Sequence, residues 1–83
     1  MTDFNYNEFS NQVLIDALKR EKSYIQLLQS DCKHFARKIQ RRRGYSQKAL
    51  DAYAQTIETK QRLITNAQQE VAELESVIAQ RVA

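Results

Sequence analysis

Residues 39–50 read Ile39-Gln40-Arg41-Arg42-Arg43-Gly44-Tyr45-Ser46-Gln47-Lys48-Ala49-Leu50, and the path of the chain through this stretch decides the fold. It holds the only glycine in 83 residues, and the chain has no proline. Glycine adopts the left-handed conformation that ends many helices, so Gly44 suits the position just past a helix end. Ser46 suits the N-cap of a following helix, and Tyr45 with Leu50 has the spacing of a hydrophobic staple. Together they predict one helix stopping, a short turn at 44–46, and a second helix starting.

Outward from the turn, apolar residues recur at alternating steps of three and four. Before it the seam is Leu14, Leu18, Glu21, Ile25, Leu28, Cys32, Phe35, Ile39, Arg42. After it the seam is Leu50, Tyr53, Ile57, Lys60, Ile64, Ala67, Val71, Leu74, Ile78, Arg81. Fifteen of these nineteen positions are apolar in a chain that is 42% hydrophobic overall, so the heptad period is a property of the sequence and not of its composition. At the N-terminus, Asn5 and Glu8 have capping-box spacing, and Phe4 and Phe9 that of a staple. The expectation is one domain over 1–83: a helix at about 6–43, the turn at 44–46, and a helix at about 47–81. So short a turn makes the helices antiparallel neighbours, an all-α two-helix hairpin of coiled-coil type.

A continuous helix is the competing architecture. The seam can pass through Arg42 and Ser46 as a four-residue stutter, which coiled coils accommodate. That path puts two polar residues in the seam and leaves the cap at Ser46 unused, so the hairpin is preferred.

The apolar surface is wider than one seam. Val13, Ala17, Tyr24 and Leu27 flank it in the first half, and Leu63 and Val77 in the second. These six are the expected dimer or partner interface, with pairing of two hairpins into a four-helix bundle the expected assembly.

Charge is segregated. The net charge is only +3, yet Lys33, Arg37, Lys38, Arg41, Arg42, Arg43 and Lys48 follow one another with no carboxylate between them. Arginines in a last helical turn complement the helix dipole, which accounts for Arg41, Arg42 and Arg43. Lys33, Arg37 and Arg41 stack like charges four residues apart, as do Lys38 and Arg42, an arrangement that disfavours the isolated helix. These seven residues are the expected contact for an anionic partner, either an acidic protein surface or the phosphates of a nucleic acid.

Little points to catalysis. His34 and Cys32 are the only residues of their kinds. They sit two apart on a predicted helix and share no face, so neither a catalytic dyad, a metal site nor a cofactor is expected. A lone cysteine gives no intrachain disulfide and fits a reducing compartment. With no membrane-length apolar run, no basic-then-apolar leader and no small-molecule site in view, the cytoplasm is the expected location. The function these readings favour is a small helical interaction protein acting as regulator, inhibitor or assembly adaptor. The alternatives are a nucleic-acid-binding protein using the basic hinge, and a structural coiled-coil component on one continuous helix.

Overall fold

The computed structural model describes residues 8–82 and consists of two helices, α1 (Asn11–Arg41) and α2 (Gln47–Val82). They pack along their length as an antiparallel hairpin measuring 55 × 22 × 16 Å. The long dimension matches the 36 residues of α2 at ~1.5 Å each. The Cα radius of gyration is 17.3 Å, against ~12 Å for a compact domain of this length.

The turn forms where the sequence places it, by a slightly different route. The expected helix end at 43 moves back to Arg41, and the turn spans 42–46. Arg42, not Gly44, is the first left-handed residue, with φ 57° and ψ −7°. Its N–H donates to the Lys38 carbonyl at 3.1 Å, which closes the last turn of α1. Gly44 then takes a second positive φ of 73°, where a side chain is strained. Two left-handed residues within three positions reverse the chain, and glycine relieves only one of them. Ser46 caps α2 as expected: its Oγ accepts from the Ala49 N–H at 3.2 Å and its carbonyl from the Leu50 N–H at 3.0 Å.

At the other end the structure corrects the sequence reading. The helix expected from about residue 6 begins at Asn11, because Ser10 is the cap. Its extended backbone (φ −68°, ψ 159°) lets its Oγ accept from the Val13 N–H at 3.3 Å. Glu8 and Phe9 precede the helix. The capping box and staple expected of Asn5 and Phe4 fall outside the described residues.

All fifteen apolar seam positions are buried or half-buried. Leu14, Leu28, Ala67 and Leu74 are the most enclosed, at 2–4% exposure. The seam therefore forms the core, one side chain thick.

Candidate interaction surfaces

The turn end of the hairpin is built on aromatic rings. Phe35 on α1 stacks with Tyr53 on α2 at 5.5 Å between centroids, and Tyr45 meets Tyr53 edge-on at 5.4 Å. Lys38 lies over this cluster, its Nζ 5.7 Å from the Phe35 centroid and 5.3 Å from that of Tyr53. A cation over ring faces gains from their quadrupoles. This separates Lys38 from the other six expected anion-binding residues, because its ammonium already has partners within the fold.

The remaining six, Lys33, Arg37, Arg41, Arg42, Arg43 and Lys48, are all exposed. The ion pairs among the described residues, Lys22–Glu75, Lys60–Asp31 and Arg62–Glu58, include none of them. The nearest carboxylate in the α2 sequence, Asp51, accepts instead from Gln47 Nε2 at 2.9 Å. From residue 33 to 56 there are seven cations and one carboxylate, so the hinge carries a concentrated positive field.

A second surface runs along the hairpin's length. Val13, Tyr24 and Leu27 on α1 and Leu63 on α2 are exposed at 45%, 40%, 59% and 39%. Ala17 and Val77 are half-buried beside them. Val13, Ala17, Arg20, Tyr24 and Leu27 repeat the four-three spacing of the seam, so α1 carries a second stripe alongside it. On α2 the corresponding stripe runs Ala49, Ala52, Thr56, Thr59, Leu63, Asn66, Glu70, Glu73, Val77. In an antiparallel pair the flanking positions that face each other are alike, which puts both stripes on one side of the hairpin. The opposite side carries the Lys22–Glu75 pair, at 3.7 Å. The six residues expected at an interface thus belong to a single face.

Two of the polar interruptions of the seam, Lys60 and Arg81, have specific partners that the sequence did not disclose. Lys60 donates to Asp31 Oδ2 at 3.1 Å, with only 24% of its side chain exposed. Asp31 flanks the seam of α1 at the height of Lys60, and only the hairpin register shows that the two are level. At the open end Arg81 donates to the Phe9 carbonyl and to Asn11 Oδ1, so the last turn of α2 is tied to the first of α1. Both contacts favour one alignment of the helices.

Cys32 is half-buried on the seam, and its thiol points to the Ile57 carbonyl at 4.0 Å. His34 is exposed, with its ring edge-on to Phe35 at 5.6 Å. The two face different groups. Among the described residues no three His, Cys, Asp or Glu side chains gather where a metal ion could be held, and no helix is long and apolar enough to cross a membrane. No family model, curated protein or solved structure matches the chain.

Proposed function

We propose that this chain is a small, non-enzymatic helical interaction protein, a regulator, inhibitor or assembly adaptor that docks through the apolar stripe and makes a secondary contact with an anionic surface at its basic hinge. The observation that carries this reading is the stripe. Val13, Tyr24, Leu27 and Leu63 remain exposed beside a seam whose apolar residues are all buried or half-buried. Large apolar side chains aligned on one face mark an interaction surface, whereas scattered ones do not. Tyr24 supplies the aromatic anchor that such interfaces favour.

Nucleic acid is the second reading for the hinge, favoured by six exposed cations without carboxylate partners. Contacts there are to phosphates, which position a protein without reading sequence, and affinity falls steeply with salt.

The test is affinity capture with tagged wild type from a lysate of the source cells, with and without nuclease, and with an untagged second copy added. Two variants run alongside: Leu27→Asp/Leu63→Asp in the stripe and Arg41→Ala/Arg42→Ala/Arg43→Ala in the hinge. The expected result is a protein partner, a second copy included, retained by wild type and lost from the stripe variant. Retention that survives the stripe variant but is abolished by nuclease and by the hinge variant supports the nucleic-acid reading instead. If no stripe-dependent protein is retained, the principal reading fails.

A further inference from the structure

We infer that the stripe is covered by a second copy of this chain, in a two-fold dimer that lays the hairpins face to face with their basic hinges at opposite ends. The inference rests on the reading of the stripe as a protein interface and names its occupant.

Area is the first argument. The chain exposes 6572 Å², whereas a compact monomer of 9.7 kDa exposes about 5,100 Å². The excess, on the order of 1,400 Å², exceeds the ~800 Å² per partner that a stable interface removes.

Charge decides the orientation. Residues 33–56 hold seven cations and one carboxylate, while the described residues outside that span hold six cations and eight carboxylates. A dimer with both hinges at one end sets the two cationic clusters side by side. With the hinges at opposite ends, each cluster lies along the partner's open half, where Glu70 and Glu73 lie on the stripe face. An isologous interface must be complementary to itself, and only the second arrangement is so in charge.

Register gives the fit. A two-fold axis across the hairpin's middle stacks α1 on the partner's α1 and α2 on the partner's α2. Measured from the turn at ~1.5 Å per residue, Tyr24 and Leu27 lie ~31 and ~26 Å out and Leu63 ~28 Å out. Inversion about this level places Leu63 against its own copy and Tyr24 against the other chain's Leu27. The same inversion brings Val77 level with the small Ala49, and Arg20 level with Asp31 on the second chain. Apolar residues thus meet apolar ones at the centre, Val77 meets a small residue, and Arg20 meets an opposite charge.

Two measurements test it. Light scattering over a rising series of chain concentrations should give a mass that climbs to a plateau at twice 9.7 kDa for wild type. Leu63→Asp should halve that mass while circular dichroism keeps the helical signal, since Leu63 lies outside the intrachain core at 39% exposure. Separately, a nitroxide at Lys48→Cys in a Cys32→Ser background, on the otherwise wild-type chain, reports the hinge-to-hinge distance. The opposed arrangement predicts ~45 Å, and hinges at one end bring the labels within ~25 Å. A monomeric wild type, a dimer unaffected by Leu63→Asp, or a hinge distance under ~25 Å each overturns the inference. A monomer whose stripe still captures a different protein leaves the interaction reading standing, so the two fail separately.

Discussion

Replacing Leu28 with alanine should lower stability by ~2–5 kcal/mol, the range for truncating an enclosed leucine. Leu28 is 4% exposed in the middle of α1, where each neighbouring seam position is a single side chain. A core one residue thick has no second layer to close over the cavity, which puts the expected loss in the upper half of that range. A chain of 83 residues has ~4–12 kcal/mol in total. The substitution therefore removes a large fraction of it and lowers the melting midpoint by roughly 10–30 °C. Thermal melts followed at 222 nm, at one fixed chain concentration, measure this. Gln26→Ala, on the exposed side of the same helical turn, should stay within ~0.5 kcal/mol of wild type. Equal losses from the two substitutions would show that the helices are not packed along this seam.

Tyr53→Ala should have the second largest effect, concentrated at the hinge. It removes the ring that stacks on Phe35, receives the edge of Tyr45 and carries the Lys38 ammonium. Each aromatic pair is worth ~0.5–1.5 kcal/mol beyond burial and the cation contact ~0.5–1. Tyr53 is half-buried, so we expect a loss of ~2–3 kcal/mol, below the range for a fully enclosed aromatic. Amide exchange should accelerate most at residues 38–50, while the open end, tied by Arg81 to Phe9 and Asn11, keeps its protection. Tyr53→Phe keeps every ring contact and should change stability by less than ~0.5 kcal/mol. A large loss from the phenylalanine variant would place the stabilisation in the hydroxyl and not in the ring.

The period of the seam and the cap at Ser46 were legible in the sequence because both are local. Alternating three-four spacing requires only that a helix bury one side, and a serine before a helical run satisfies an orphan N–H wherever the chain goes next. The start of α1 was harder to read, since Asn5 and Ser10 both have cap chemistry and spacing alone does not choose between them. Arg42 was misread for a related reason. Glycine is the residue that takes a left-handed backbone without strain, so Gly44 drew the assignment. The reversal in fact begins two residues earlier, where Lys38 and Tyr45 meet the rings of Phe35 and Tyr53. No local signal contains that packing.

The candidate surfaces divide in the same way. Val13, Ala17, Tyr24, Leu27, Leu63 and Val77 could be named as excess apolar residues from the sequence, and helical geometry then groups them on one face. The basic run looked uniform in one dimension. In three, Lys38 turns inward over aromatic rings while Lys33, Arg37, Arg41, Arg42, Arg43 and Lys48 stay outward. Asp31 and Lys60 are 29 residues apart and become an ion pair only through the hairpin register.

The stripe, the hinge and the proposed dimer all depend on reversal of the chain at residues 42–46, and one distance within a single chain tests that most directly. Nitroxides at Ser23→Cys and Gln68→Cys, two exposed positions at similar heights, are introduced with Cys32→Ser, and excess unlabelled chain suppresses distances between copies. With helix axes ~8–10 Å apart, the hairpin predicts a label separation below ~25 Å. A distance near ~68 Å, the span of 45 residues of unbroken helix, would contradict it.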